Sequence, residues 1–283
     1  MSNGSGRVPV LACVRDAWLF LANNWMVFVP AAAIAAVISE IGVAAVLLAG
    51  GSPVGGGGFL AMIPTALAGL MFTAAVLRKQ VREEFKAPTG LTLGGDEGRL
   101  FGVAISMTLL AIPMFLLLTV VLSMTVFRQI AATPEALEEL AADPNALAEA
   151  LLQALGPGGV LVFMTVSIAL ASIIFGMVAL ANAATIGEKR IVIFQAWSWM
   201  GGNALRVLGA MVLTVAPAMI LTAVITQVVT SALVGMSGDD VGVLPYLLAS
   251  ILISFLNLLF GIPIQALGGV LYKGLRPAEF VAK

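Results

Sequence analysis

The sequence predicts an all-α polytopic membrane protein with six transmembrane helices, as three observations indicate. Of the 283 residues, 60% are hydrophobic and 10% are charged, and the mean hydropathy is +1.08. A soluble domain has no way to bury so much apolar surface. Six apolar runs follow one another, and each is long enough for a helix to cross a bilayer, which takes about 20 residues. Successive connections between these runs alternate between the two sides of the membrane. Every Lys and Arg except Arg128 lies in a terminus or connection on the same side.

The charge distribution also predicts the orientation. Basic residues precede the first run, lie between the second and third and between the fourth and fifth, and follow the sixth. Because positively charged loops are retained in the cytoplasm, we expect both termini to be cytoplasmic. The Ala-rich and Leu-rich composition and the short loops favour a bacterial inner membrane.

The six runs are interpreted as helices, because a helix satisfies its own backbone polar groups within lipid. Their approximate bounds are 25–49, 59–77, 100–127, 159–185, 205–234 and 244–272. Five runs contain a proline, which should kink the helix rather than end it. These prolines are Pro30, Pro64, Pro113, Pro217 and Pro263.

Two of the outer connections have a distinctive composition. Residues 50–58 form a Gly-rich turn without the Gly-Lys-Ser/Thr ending of a phosphate-binding loop. The second contains an acidic insertion at about 131–156, where Thr133 and Asp143 each precede a proline. A capping residue followed by proline is typical of a helix start, so two short helices are expected on the outer surface.

An internal repeat predicts three helical hairpins, each preceded by an amphipathic cytoplasmic segment. An Ala-Trp pair precedes the first and the fifth run, and a Gly-Gly-(Asp/Asn)-x-x-Arg pattern precedes the third and the fifth. The matched residues are Trp18 with Trp197, Asn24 and Asp96 with Asn203, and Arg99 with Arg206. The repeats span about 8–80, 88–188 and 189–275 of a single transmembrane domain, 1–283. Three parallel repeats suggest a pseudo-threefold bundle.

Each amphipathic segment is interpreted as an elbow helix, which lies in the membrane interface and turns the chain into the bilayer. Its aromatic residues, such as Trp18 and Trp197, should lie at headgroup level. Asn24, Asp96 or Asn203 should then cap the spanning helix that follows. The alternative interpretation is a recognition motif.

The Ala-Trp elbow with its Asn-x-x-Arg ending (Ala196, Trp197, Asn203 and Arg206), its degenerate copies and the six-helix plan resemble a known group of proteins. This group is the bacterial six-helix membrane proteins that include the glycerophosphoryl diester phosphodiesterase membrane domain family. Some members carry a fused soluble phosphodiesterase barrel, which this sequence lacks. The resemblance therefore implies an accessory or lipid-related role in the membrane and transfers no catalytic residue.

Glu40 is the strongest candidate for a binding residue, because it lies inside the first apolar run. A charge at the bilayer centre costs about 3 kcal/mol on insertion scales, so such residues usually face a cavity or a partner. Its carboxyl group is a candidate site for a cation or a proton, with Asn257 as the expected companion. Asn182 and Gln265 are further candidates. For these three residues, a hydrogen bond between helices is the alternative. For Glu40, the alternatives are a helix partner, a position near the outer boundary of the bilayer, or a carboxyl group that burial keeps protonated.

The sequence argues against several classes of function. It contains no His and a single Cys, so the commonest general base and metal ligand is missing. Every Asp falls outside the runs, which argues against an intramembrane aspartyl protease. We therefore predict no enzymatic activity, no catalytic residue, no metal and no cofactor. The net charge of −1 and the scattered basic residues predict no nucleic-acid partner.

Two functions remain open. The first is a non-enzymatic accessory or lipid-organising membrane protein, with membrane lipids as partners and a membrane-protein partner or a second copy of the chain as further candidates. The second is a transporter or lipid-handling protein that uses a polar intramembrane site around Glu40. The kinked helices and the internal repeat favour the second function, whereas the scattered polar residues favour the first.

Overall fold

The structure is a computed structural model. It describes residues 8–49, 58–86, 88–122, 176–237 and 242–277, with isolated positions between 156 and 174. The described residues are almost all helical and include no strand. The Gly-rich turn, the end of the third run, nearly all of the acidic insertion and much of the fourth run lie outside the described residues.

The helices are numbered here in chain order. They are α1 (Val10–Leu48), α2 (Gly58–Leu77) with a π-helical extension (Arg78–Arg82), α3 (Gly95–Leu122), α4 (176–188), α5 (Phe194–Ser198), α6 (Ala204–Ser237) and α7 (Val243–Leu275). All five prolines of the apolar runs lie inside helices, as predicted.

Four helices of the described part are long and apolar enough to cross a membrane. They cover Val10–Leu48, Met62–Arg82, Ala204–Ala232 and Val243–Leu275. Large apolar side chains project from them into the surroundings, such as Met26, Ile220 and Leu248. An all-helical chain with several such helices is a multi-pass membrane protein.

The chain divides into two compact units. The first unit comprises Met1–Val103 and Ser172–Lys283, and the second comprises Ala104–Ala171. In the second unit, residues 104–122 continue α3.

In the first unit, α1 packs against α2, α6 and α7. One core cluster of this unit combines the ring of Phe28 with small residues on the same face of α1, Ala31 and Ala35. Phe72 of α2 and Ile262 of α7 belong to the same cluster. Small residues bring the helix backbones close together, and the rings fill the space between them.

Gly268 of α7 lies against the backbone of Ala179 in α4. A Cβ atom built on Gly268 would overlap the carbonyl oxygen of Ala179. Since that neighbour is backbone and not a flexible side chain, only glycine fits at this position without a shift of one helix.

The predicted elbow before the first span is wrong, because α1 runs without a break from Val10 to Leu48. Asn24 lies in the middle of this helix and does not cap a second one. Its side-chain amide donates to the carbonyl oxygen of Phe20 at 2.9 Å. The physical reason is local, since the stretch 17–25 contains neither glycine nor proline and nothing interrupts the helix.

The segment before α6 differs, because here the chain does break. The short helix α5 ends at Ser198, and α6 begins at Ala204. Gly201 and Gly202 lie between them, and Gly202 has a φ of +73°, a left-handed conformation that favours glycine. The Gly-Gly pair that aligns with this segment ends at Gly95, where α3 begins.

Gly268→Ala should destabilise the fold by about 1–3 kcal/mol, because the added methyl group overpacks the contact with Ala179. The matched control is Gly261→Ala on the same helix, where a Cβ atom would meet nothing within 4 Å. The measurement is the thermal unfolding midpoint in a mild detergent. Equal midpoints for the two variants would contradict the close approach of α4 and α7.

Candidate functional site

The arginine cluster, made of Arg78, Arg82, Asp96, Glu97 and Arg99, joins the end of α2 to the start of α3. The side chain of Arg78 is 1% exposed, and its Nη1 lies 2.6 Å from Glu97 and 3.5 Å from Asp96. Arg82 pairs with Asp96 at 2.5 Å, and Arg99 pairs with the other oxygen of Asp96 at 2.9 Å. Two carboxylates therefore form ion pairs with three guanidinium groups.

The connection between α2 and α3 supplies the remaining acceptors. Nη2 of Arg78 donates to the carbonyl oxygen of Gly90 at 2.8 Å and to the hydroxyl of Thr92 at 3.0 Å. Thr92 in turn donates to Glu97 at 2.9 Å. Gly90 adopts a φ of +72°, which turns its carbonyl group at little steric cost. Phe85 packs its ring edge-on against Phe28 of α1 and anchors this connection.

The position of Asp96 and Glu97 in the first turn of α3 adds a second favourable interaction. Negative side chains there face the positive end of the helix dipole. Asp96 is the second residue of the helix, and its carboxylate binds arginines, so it does not act as the predicted cap.

The pKa values of both carboxyl groups reflect the neighbouring arginines. Burial on its own would raise the pKa of Asp96. The hydrogen bond from Arg82 and the charges of Arg82, Arg78 and Arg99 outweigh burial and hold that pKa below its ordinary value. Burial is likewise outweighed at Glu97, chiefly by the hydrogen bond from Arg78, so its pKa is also lowered. Both groups are therefore ionised at neutral pH.

A second polar group lies at the end of α7. The hydroxyl of Tyr272 donates to Glu188 at 2.7 Å, and Nε of Arg276 lies 2.7 Å from the same carboxylate oxygen. The guanidinium carbon of Arg276 is 5.6 Å from the ring centre of Tyr272. Gly187 allows this arrangement, because a Cβ atom there would overlap the tyrosine ring.

A polar cavity of about 290 Å³ lies between these two groups. It is lined by Val81, Arg82, Gly187, Tyr272, Lys273 and Arg276. Three of these six residues are cationic. Lys273 is exposed and makes no ion pair with any residue that the structure describes.

Several contacts hold the helix ends near this cavity close to one another. Oδ1 of Asn203, just before α6, accepts from the backbone N–H of Val8, just before α1, at 3.0 Å. The ring of Trp199 lies 6.1 Å from that of Tyr272. The starts of α1, α3 and α6 and the ends of α2 and α7 thus share what we call the basic end of the first unit.

Glu40 lies near the other end of α1 and is 8% exposed. Hydroxyl groups of Ser250 and Ser254, one turn apart on α7, donate to its two carboxylate oxygens at 2.5 Å each. The hydroxyl of Ser39 donates to the backbone carbonyl oxygen of Ala36 at 2.7 Å and lies 3.4 Å from Glu40. Thr65 of α2 donates to the backbone carbonyl oxygen of Ser39 at 2.8 Å. These bonds join α1 to both α2 and α7.

The other polar candidates do not join Glu40. Asn257 was the expected companion, but it is exposed on α7, and the serines take that place. The register of α7 explains why the serines and not Asn257 contact Glu40, because Ser250 and Ser254 occupy the face of α7 that meets α1. Asn182 is buried in α4. Oε1 of Gln265 is buried and accepts no hydrogen bond within the described part of the chain.

The predicted elbow residues take different positions. Trp197 donates its indole N–H to the carbonyl oxygen of Met177 at 3.3 Å, and its ring lies 5.2 Å from that of Phe194. Trp18 is half-buried within α1, and Arg206 is half-buried in the first turn of α6. Asn203 directly precedes α6, and its backbone carbonyl accepts from the N–H groups of Arg206 and Val207 at 2.9 Å.

Several residues of these groups carry no distinctive sequence pattern. The sequence marks Arg78 only as one of the basic residues between the second and third runs, and it does not distinguish Glu188 or Tyr272. One signal was present, since Arg78 and Arg82 are four residues apart and face the same side of a helix. Ser250 and Ser254 have the same spacing.

The described residues contain no group of three or more Cys, Asp or Glu side chains that is arranged to hold a metal ion. Comparison of the chain with protein-family models, with curated proteins and with solved structures gives no match.

Arg78→Met should cost about 3–5 kcal/mol of stability, because it leaves Glu97 buried without its partner. The control is Lys79→Met at the next position, which makes no ion pair with any described residue and should stay within about 0.5 kcal/mol of the unmodified protein. Thermal unfolding in detergent measures both. If Lys79→Met proved as harmful as Arg78→Met, the arginine cluster would not have the assigned role.

The arginine cluster should also make stability depend on acid. Because the pKa values of Asp96 and Glu97 are lower in the folded state than their ordinary 3.8 and 4.5, their contribution is complete above those ordinary values. It is lost as pH falls below them through the folded-state values. The variant Asp96→Asn/Glu97→Gln should therefore unfold at a lower temperature than the unmodified protein at pH 6, and this difference should shrink between about pH 4.5 and pH 3. A difference that stays constant over that range would refute the assignment.

Proposed function

We propose that this protein is a non-enzymatic membrane protein that acts as an accessory or lipid-organising component of its bilayer. Membrane lipids are its proposed partners, and a membrane-protein partner or a second copy of the chain is a further candidate. The resemblance of its Ala-Trp elbow pattern to the glycerophosphoryl diester phosphodiesterase membrane domain group agrees with this role.

In the proposed arrangement the chain crosses a bacterial inner membrane six times, with both termini in the cytoplasm. The basic end then faces the cytoplasm. Its charges support this orientation, since Arg82, Lys273 and Arg276 lie together there. Antiparallel neighbours explain why the starts of α1 and α6 meet the end of α7.

The observation that carries the proposal is the environment of Glu40. Its two carboxylate oxygens accept hydrogen bonds from Ser250 and Ser254, so they are used to fix α7 against α1. A buried polar group that is satisfied in this way stabilises helix packing and needs no substrate. Neither the polar cavity at the basic end nor an apolar cavity next to Met177 and Met211 is lined by Glu40.

The lipid-organising part of the proposal draws on two surfaces. Exposed apolar side chains cover the spanning helices and contact acyl chains. The basic end attracts the anionic lipids of the cytoplasmic leaflet, at about 1 kcal/mol for each Lys or Arg near the surface. Together they bind lipid without any reacting group.

One observation favours the second candidate function, a transporter that uses Glu40. A carboxyl group inside an apolar span is costly and commonly marks an ion or proton path. The serine hydroxyls around it would then provide ligands for a bound cation or exchange a proton with it.

Native mass spectrometry of the detergent-purified protein separates the two functions. We expect bound lipid on the unmodified protein and the same lipid on Glu40→Gln, because the amide keeps one oxygen for the serines. The control is Glu83→Gln, the same chemical change at an exposed position that makes no ion pair with any described residue. A small molecule or cation that only Glu40→Gln loses would establish the transport function. An unmodified protein without bound lipid or protein would contradict the proposed role.

A further inference from the structure

We propose that the polar cavity at the basic end binds a phosphate-bearing group, and we infer that this group is held by Arg82, Lys273 and Arg276. The inference rests on the proposed lipid-organising function and names the chemistry of its site. Phosphate could arrive on a lipid headgroup or on a soluble molecule, and both present the same oxygens to the cavity.

The charge of the cavity lining is the first argument. Three of its six residues are cationic, and none is acidic. The carboxylates that pair with Arg82 and Arg276 belong to residues outside the lining, namely Asp96, Glu84 and Glu188. Lys273 adds a positive charge that no described carboxylate pairs with. An anion that enters the cavity therefore meets cations and no opposing charge in the lining.

The rigidity of the two arginines is the second argument. Arg82 makes ion pairs with Asp96 and Glu84 through its Nη2, and its Nε is buried and donates to no described acceptor. Arg276 is fixed by Glu188 and by the face of the Tyr272 ring. Guanidinium groups that are already held in place lose little side-chain entropy when they bind, and their planar donors suit phosphate oxygens.

The position of the cavity is the third argument. Val81 and the ring of Tyr272 form an apolar wall, while Lys273 and Arg276 lie in the last turn of α7 and just after it. In the proposed orientation this is the cytoplasmic membrane surface, where lipid phosphates lie. Basic pockets between spanning helices on this side are suited to anionic headgroups. A volume of about 290 Å³ accepts a phosphate with part of its glycerol.

The test uses the full chain, purified in detergent and stripped of endogenous lipid. Phosphatidylglycerol, zwitterionic phosphatidylcholine and soluble glycerol phosphate are each titrated against it and followed by native mass spectrometry. We compare Lys273→Gln with Lys273→Arg, which keeps the charge. The matched control is Lys79→Gln, which removes a basic residue of the same end that does not line the cavity.

We expect phosphatidylglycerol to bind more tightly than phosphatidylcholine. Lys273→Gln should weaken phosphatidylglycerol binding about tenfold, because it removes a charge-assisted hydrogen bond to the bound phosphate. Lys273→Arg and Lys79→Gln should both stay within twofold of the unmodified protein. Competition by glycerol phosphate would identify a soluble ligand of the same site, whereas its absence would identify the lipid headgroup.

Three outcomes would overturn the inference. Equal loss in Lys273→Gln and Lys79→Gln would show a diffuse surface charge effect instead of a site, and no loss in either would show that Lys273 does not hold the ligand. Retained lipid with no dependence on Lys273 would leave the lipid-organising function intact and remove only the cavity. If the purified protein bound neither lipid nor glycerol phosphate, this result would contradict both the cavity site and the lipid-organising function.

Discussion

The burial of one charged group, the guanidinium of Arg78, constrains the basic end of this protein. A buried cation is tolerated only when carboxylates and other acceptors surround it. Glu97 and Asp96 provide the charges, and Gly90 and Thr92 provide the remaining oxygens. These partners come from the α2–α3 connection and the first turn of α3, so satisfying Arg78 fixes the path of the chain between the two helices. The same cluster orients Arg82, which lines the neighbouring cavity, through Asp96.

Within the apolar spans, helix association depends on close contact and on a few polar bonds, because lipid provides no hydrophobic driving force between helices. Gly268 lets the backbones of α4 and α7 approach closely. Glu40, Ser250 and Ser254 form the polar counterpart between α1 and α7. Both contacts involve α7, which also carries Lys273 into the cavity, so this helix links the packing of the spans to the chemistry of the basic end.

Much of the helical plan follows from sequence, because apolar length and internal prolines are properties of single segments. The distribution of Lys and Arg likewise predicts which ends of the helices are basic. Helix continuity near Asn24 was missed, since the repeat suggested a break that local helix propensity does not support. The burial of Arg78 was missed for a different reason. The local sequence around Arg78 is compatible both with an exposed position in a loop and with a position enclosed by Asp96 and Glu97. Only the tertiary path of the chain distinguishes the two. The pairing of Glu40 with Ser250 and Ser254 depends on how α1 and α7 are aligned. The sequence of either helix alone does not determine this alignment.

The central claim is that Arg78 and Glu97 stabilise the fold as a pair. A double-mutant cycle with Arg78→Met, Glu97→Leu and the double variant, measured by thermal unfolding in detergent, tests it most directly. If the two side chains form one buried ion pair, the double variant should be more stable than the sum of the single effects predicts, by about 1–3 kcal/mol. Each single variant leaves one charge buried without its main partner, and the double variant leaves neither. Strictly additive losses would contradict the account, because they would show that the two residues contribute independently.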